Sequence, residues 1–378
     1  MLLTVVMVVC AVGMSHSQAA CPPMLPSLDD GWEASTPEAE GMNAVKVCAI
    51  EDRIAQESRA NIHAVIVVRN GRIVFEAYRD GADQRWGTTL GVAVHDPETL
   101  HDTRSITKSV VSLVFGIVYD RQLVGNVTEP FNSYFPELES LATEGVERIS
   151  LLDLLTMRSG LVWNEGVPYS DPANSEHQLI AASEPYRFIL TRSMKATPGL
   201  EWNYCGGCVQ LIAEVVQRVT RESLPEFTRK NLFEPLGITH FEWLHMARSG
   251  EVAAASGLRL RPRDTAKLGQ LILDRGAWRG KQIVSEDWIA RSTSPHVAGF
   301  DQYPSIGYGY YWWTDYGNDI SGRRVSWISA QGLGGQRLYV LPTHRTVVVI
   351  NAGRYGESDD GAISFDIFEK NVLGAIYR

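Results

Sequence analysis

Strand-forming segments stand at the two ends of this 378-residue chain, and helix-forming segments fill the interval between them. Near the start, Ala64 to Tyr78 is two β-rich runs around Asn70-Gly71. That dipeptide accepts the two positive φ angles of a type I′ turn, so the segment predicts a hairpin. Near the other end RVSWISAQG, QRLYVLP and TVVVIN predict three strands, the last two joined by a turn at 342–345. GYGYYWWT (Gly307 to Thr314) reads as a further strand whose aromatics belong to sheet core rather than to a ligand platform. An antiparallel sheet built from both chain ends and flanked by helices, with a mainly helical lobe of roughly residues 95–300 inserted, accommodates this order. The expected class is α+β, one compact unit of two lobes.

Between the ends, Ser105 to Arg121 carries Ile106, Val110, Leu113, Val114, Ile117 and Val118 at helical spacing. Because it is apolar nearly all round, this helix should be buried. Cys208 to Arg221 repeats the period through Leu211, Ile212, Val215 and Val219. Ala362 to Tyr377 does so through Ile363, Phe365, Ile367, Phe368 and Leu373.

Thirty-five basic residues against forty-four acidic ones give a net charge of −9, with no basic run. Such a surface is a poor match for a phosphate backbone, and nucleic-acid binding is not expected. Residues 2–14 are apolar and are followed by SHSQAA, where cleavage after Ala19 leaves the small Ser17 and Ala19 at the inspected positions. This predicts a signal peptide over 1–19, a mature domain over 20–378, and a periplasmic or secreted protein. A buried N-terminal strand or helix is the alternative, since no Lys or Arg follows Met1. No later stretch reaches the ~18 apolar residues of a stable membrane span. After cleavage four cysteines remain, Cys21, Cys48, Cys205 and Cys208. An oxidising compartment suggests two disulfides, and the least tangled pairing is Cys21–Cys48 with Cys205–Cys208. A redox centre or half a metal site are the other readings of Cys-x-x-Cys.

Only one of the seven lysines has a serine three residues before it: Lys108, with Ser105. Residues i and i+3 share a helix face, so the amine reaches the hydroxyl. Serine is a weak nucleophile until a base takes its proton. A lysine can serve if burial and nearby positive charge or dipole depress its pKa. The ordinary alternative is a surface serine beside a snorkelling lysine, which an apolar helix disfavours. Two further pieces stand out: Tyr204 in PGLEWNYCGGC, just before a helix, and Gly332, Gly334 and Gly335 at the entry to a late strand. Alone, the tyrosine reads as packing and the glycines as a bulge or close approach.

The order of these three pieces resembles the serine β-lactamase and penicillin-recognising superfamily. The likeness runs from about Trp32 to the C-terminus by motif order. It is strengthened by LLDLLTMRSGLVWNE, NLFEPLGI, GLRLRPRDTAKLGQLIL and GQRLYVLP. It is nearest the esterase and 6-aminohexanoate-oligomer hydrolase branch, similar in fold to class C β-lactamases. The resemblance implies Ser105 as the acylated nucleophile, Lys108 as its base or as the group poising the tyrosine, and Tyr204 as proton shuttle. It implies an oxyanion hole from the Ser105 N–H and the Gly332-Leu333 backbone, and places Tyr169 near the leaving group. Trp163, Asp171 and Gly334 would line the same cleft. No cofactor or metal is implied.

Two departures from the family pattern bear on substrate. Its Tyr-x-Asn is Tyr204-Cys205-Gly206 here, and its Lys-Thr-Gly is Leu333-Gly334-Gly335. A Cys205–Cys208 bridge could hold Tyr204 in place of the missing Asn. Loss of the Lys disfavours anionic β-lactams and peptide C-termini, leaving β-lactamase or D-aminopeptidase activity as a lesser expectation. The leading expectation is an exported serine hydrolase acting on a small ester or short amide, with oligomeric state open. The alternative is a catalytically weak or inactive binding module on the same fold. The Gly-x-Ser-x-Gly of α/β-hydrolases is absent from the sequence.

Overall fold

The computed structural model describes residue 21 and residues 29–300, 303–319, 321–357 and 361–376. The expected signal segment lies outside the described residues. None of the described helices is long and apolar enough to cross a membrane.

Nine strands form the main sheet. In chain order they are β1 (Glu33–Ala34), β2 (Ile62–Arg69), β3 (Arg72–Tyr78), β4 (Val297–Phe300), β5 (Tyr303–Tyr308), β6 (Trp313–Asn318), β7 (Arg324–Gly332), β8 (Gln336–Leu341) and β9 (Thr346–Ala352). Across the sheet they run β1-β3-β2-β9-β8-β7-β6-β5-β4. Every neighbouring pair is antiparallel except β1 with β3. The two chain ends therefore meet at the centre, where Val65 faces Ile350 and Val67 faces Val348. The β2–β3 turn has φ of 53° at Asn70 and 81° at Gly71, the pair of positive angles expected.

The central strands read as unbroken apolar runs because both faces of the sheet are covered. Ile66, Val68, Leu338, Val340, Val347 and Val349 point to the side of α2 (Ile106–Asp120) and the helical lobe. Val65, Val67, Leu341, Val348 and Ile350 point to the other side, against α1 (Ala44–Gln56) and the C-terminal helical segment. On that outer side the Tyr339 ring stacks on Phe368 at 4.0 Å. Within the lobe, α2 is buried at every residue from Ile106 to Val118 and packs against α3 (Gly206–Thr220).

Two expectations are corrected. Gly307 to Thr314 is not one strand: β5 ends at Tyr308, Tyr311 turns the chain at φ 64°, and β6 starts at Trp313. Tyr308, Tyr310, Tyr311 and Trp312 are core as expected, whereas Trp313 is half-buried. The C-terminal helix is α-helical only over Ala362–Ile367 and then continues as π and 3-10 turns to Ala375.

Close packing around α2 depends on Gly116. A Cβ there would lie 2.2 Å from the Trp288 ring, whose Nε1–H donates to the Ser112 carbonyl at 3.0 Å. Gly116→Ala should therefore lower stability by about 1–3 kcal/mol through overpacking. Urea unfolding is the check, and an unchanged midpoint would refute this account of the helix packing.

Candidate active site

Ser105 stands at the N-terminal end of α2 with φ −68° and ψ −6°, and its side chain makes no capping bond. The hydroxyl of this N-cap residue is thus left to other partners. Arg104, immediately before it, has φ 49°, a left-handed conformation uncommon for a residue with a side chain. Several contacts over-determine this turn. Thr103 donates its N–H and its hydroxyl to the Leu258 carbonyl, at 3.0 and 2.8 Å. The Arg104 guanidinium pairs with Asp102 at 3.1 Å and lies 4.7 Å over the Tyr355 ring. Gly332, the last residue of β7, seals the turn: a Cβ there would sit 2.4 Å from the Thr103 carbonyl oxygen. Gly332 is thus a close-approach glycine, joining the sheet to the residues that carry Ser105.

Lys108 donates from Nζ to Ser105 Oγ at 3.0 Å and to the Ala255 carbonyl at 2.9 Å. Its ammonium lies 3.8 Å from Glu176 Oε2 and 4.9 Å from the centre of the Tyr204 ring. The residue is only 1% exposed. The expectation of a depressed lysine pKa is overturned here. Burial pulls the pKa down, but Tyr204, Glu176 and Glu165 outweigh it and hold Lys108 above its ordinary value. The nearest charged side chains are carboxylates, which outweigh burial and favour the charged form of Lys108. The Tyr204 hydroxyl interacts with both Ser105 and Lys108. Burial pushes Tyr204 up and Lys108 pulls it back, while Glu165 and Glu176 push it up again.

The two glutamates were not singled out from the sequence. Glu165 Oε1 accepts from Trp163 Nε1 and from the Gly206 N–H, each at 2.6 Å, and Oε2 accepts from the Tyr169 hydroxyl at 2.8 Å. Burial first, and then the charge of Glu176, push the Glu165 carboxyl up to about 7 against the opposing pull of Lys108. Glu176 Oε1 accepts from the Ser256 hydroxyl at 2.7 Å. Its other oxygen is buried without a hydrogen bond and faces Lys108. A Cβ on Gly206 would meet Glu176 Oε2 at 2.6 Å and Glu165 Oε1 at 3.2 Å. Gly206 is the position where the family pattern has Asn, so two carboxylates occupy the space that the amide would take.

Trp163 and Tyr169 are thus brought to the site through Glu165, and Trp163 also packs under α3, 2.6 Å from where a Gly207 Cβ would lie. Asp171 spends its carboxylate on the Ala173 N–H at 2.8 Å, shaping the loop that carries Tyr169. Both expected cysteine pairs are bridged, Cys21–Cys48 with Cα atoms 4.6 Å apart and Cys205–Cys208 with Cα atoms 5.4 Å apart. Cys205 is the N-cap of α3, accepting from the Cys208 N–H at 3.0 Å, so the bridge tightens the turn directly after Tyr204. On the other flank of Tyr204 stand Trp202, Phe300, Tyr308 and Trp313. Trp313 stacks on Tyr204 at 6.3 Å, and Trp202 meets Phe300 edge-on at 4.7 Å. Leu333 follows Gly332 at the end of β7. Gly334 has φ 87°, and a Cβ there would fall 2.5 Å from the Tyr355 ring, so that turn requires glycine.

A hydroxyl held 3.0 Å from a buried ammonium, with a tyrosine ring 4.9 Å from that ammonium, is an arrangement for removing a proton and stabilising the charge left behind.

Residues 49–366 match the Beta-lactamase family, and the chain belongs to that family. It is 25% identical to the 6-aminohexanoate-dimer hydrolase of Paenarthrobacter ureafaciens over 304 residues, 76% of this chain and 71% of that one. It is 31% identical to the lovastatin esterase of Penicillium rubens over 136 residues, 34% of this chain and 32% of that one. Among solved structures, a Bacillus anthracis protein provisionally named 6-aminohexanoate-dimer hydrolase superposes with a TM-score of 0.68 at 20% identity, covering 93% of this chain and 87% of its own. The fold is the β-lactamase/transpeptidase-like fold.

Glu165 gives the site a signed pH dependence. As pH rises through about 7 its carboxyl ionises and adds negative charge beside Tyr204. That charge makes the phenolate harder to form. In Glu165→Gln the added charge never develops. The ratio of mutant to wild-type kcat/KM on a nitrophenyl ester should climb as pH crosses this range. A ratio flat with pH would remove Glu165 from the account.

Proposed function

We propose that this member of the beta-lactamase family is a serine hydrolase that opens ester or short amide bonds of small molecules through a covalent Ser105 ester. The observation that carries this reading is the Ser105 Oγ lying 3.0 Å from the buried Lys108 ammonium, which in turn lies 4.9 Å from the centre of the Tyr204 ring. Because Lys108 is held in its charged form, it acts as the electrostatic partner and Tyr204 as the proton carrier. Burial holds Tyr204 above its ordinary value; once its proton has gone to solvent, Lys108 stabilises the phenolate, which takes the Ser105 proton as Oγ attacks the carbonyl carbon. The Ser105 and Leu333 N–H groups hold the oxyanion. Tyr204 then passes its proton to the leaving alcohol or amine as the bond to it breaks. In the second half, water gives a proton to Tyr204 and attacks the acyl carbon, and Ser105 recovers its hydrogen as the carboxylic acid departs. No cofactor enters this route.

The names of the two curated relatives span an amide and an ester, which supports this breadth. Leu333-Gly334-Gly335 offers no cationic side chain for a substrate carboxylate, so β-lactams should be poor substrates. Export to the periplasm or beyond belongs to the same reading, supported by the apolar leader and the two bridged cysteine pairs.

A fluorophosphonate probe should label the purified protein, and Ser105→Ala should abolish both label and turnover, by ~10³-fold or more. A panel of short esters, 6-aminohexanoate dimer, D-amino acid amides and nitrocefin should rank an ester or the short amide first. Folded wild-type protein that takes no label would favour a binding module. Nitrocefin as the best substrate would overturn the substrate class.

A further inference from the structure

A second polar cluster lies apart from the site above. His63 of β2, Asp83 of the Gly81–Arg85 strand, His95 just after the Thr88–Ala93 strand that pairs with it, and His101 on the short strand leading to α2 turn toward one point, and all four are buried. Their inward atoms lie within 4.8 Å of one another. His63 Nδ1 and His101 Nε2 are 2.8 Å apart. Asp83 Oδ1 is 3.6 Å from His101 Nε2 and 3.9 Å from His63 Nδ1, and Asp83 Oδ2 is 3.9 Å from His95 Nε2. The donor-to-donor edge of a tetrahedral zinc site is about 3.3 Å, from metal–ligand distances near 2.0 Å. The observed separations bracket it.

The outer ring nitrogens settle where the lone pairs point. Asn61 donates its Nδ2 to the Ala82 carbonyl at 2.7 Å, which fixes the amide and leaves Oδ1 as the acceptor 3.1 Å from His63 Nε2. His101 Nδ1 lies 3.1 Å from the Asp102 carbonyl oxygen. Both outer nitrogens face atoms that can only accept, so both carry the hydrogen. In the neutral rings the facing atoms, His63 Nδ1 and His101 Nε2, are then two bare lone pairs beside a carboxylate. His95 Nε2 is buried with no hydrogen-bond partner. Asp83 Oδ1 accepts from the Tyr355 hydroxyl at 3.3 Å, but among the described residues no donor reaches the three imidazole lone pairs, and lone pairs converging beside a carboxylate call for a cation between them.

We propose that His63, Asp83, His95 and His101 bind one divalent transition-metal ion, zinc by the ligand set. Three imidazoles and one carboxylate close a tetrahedron with no open position, which marks a structural rather than a catalytic site. The Asn61 amide and the Asp102 carbonyl are the outer partners that orient metal-binding histidines elsewhere. Two glycines make room for them: a Cβ on Gly81 would fall 2.3 Å from Asn61 Oδ1, and one on Gly353 would fall 2.6 Å from His63 Cε1. The ion would tie β2 of the sheet to the segment that enters the Ser105 turn, since Asp102 and Arg104 follow His101 directly.

The test is made on the purified full chain, stripped with a chelator and titrated with Co²⁺ and Zn²⁺. The expected result is about one equivalent bound per chain, the intense visible absorption of tetrahedral Co²⁺, bleaching of that absorption by Zn²⁺, and a higher melting temperature with metal. His95→Gln and, separately, Asp83→Asn should lose the absorption while keeping the near-ultraviolet dichroism of the folded chain. Stripped wild-type protein that stays folded yet gives no tetrahedral absorption overturns the proposal in favour of a proton shared between the rings. So does unchanged absorption in both variants, which would place the metal elsewhere.

Discussion

An ammonium buried to 1% exposure is the constraint around which the helical lobe is arranged. Leaving water would cost a lone lysine several kcal/mol, and the chain offsets this with Ser105 from the same helix and with three groups drawn from distant segments. The Ala255 carbonyl and the Ser105 hydroxyl accept from Nζ, Glu176 supplies charge at 3.8 Å, and the Tyr204 ring lies beneath it. Each of these groups is placed by a different element, so the lysine can be solvated by protein only when the lobe is assembled. The same compensation that makes burial possible holds the Lys108 pKa above its ordinary value.

The carboxylates shape the site in a second way. With Glu165 and Glu176 beside Gly206, a side chain at that position would have to displace a carboxylate, and the α3 N-terminus donates its Gly206 N–H to Glu165. A negative group at a helix N-terminus is favourable on its own account. The family's amide is therefore not simply missing. Its volume and part of its polar role are taken over by charges, one of which is pushed up into the neutral range.

The architecture was legible in the sequence wherever periodicity carried it. The β2–β3 hairpin followed from Asn70-Gly71, and β7, β8 and β9 from runs of β-branched residues bounded by turns. Helix α2 followed from apolar residues on every face. Motif order put Ser105, Lys108 and Tyr204 together, and Lys108 Nζ lies 3.0 Å from Ser105 Oγ and 4.9 Å from the centre of the Tyr204 ring. What escaped were features set by three-dimensional surroundings. Glu176 lies in a polar stretch with no periodic or motif signal, yet it faces Lys108 across 3.8 Å. That contact and Glu165 are invisible in one dimension, and they raise the Lys108 pKa where burial alone would lower it. The Gly307–Thr314 stretch failed as a strand because Tyr311 adopts φ 64°, a conformation that propensity does not foresee for tyrosine. Trp313, half-buried, then ends up stacked on Tyr204.

The pairing of β2 with β9 has a consequence for how the molecule is made. Its central ladder joins Arg69 to Thr346 and Val65 to Ile350, partners at opposite ends of the chain. On the ribosome, the β2–β3 hairpin must wait with one edge unpaired until almost the whole polypeptide has been synthesised. Contacts of such long sequence separation form slowly, and an open apolar edge in the meantime invites misassociation. The lobe between them, rich in local helical contacts, can compact first. Closure of the sheet is then a late event, and it is the event that brings Gly332 against Thr103 and completes the surroundings of Ser105.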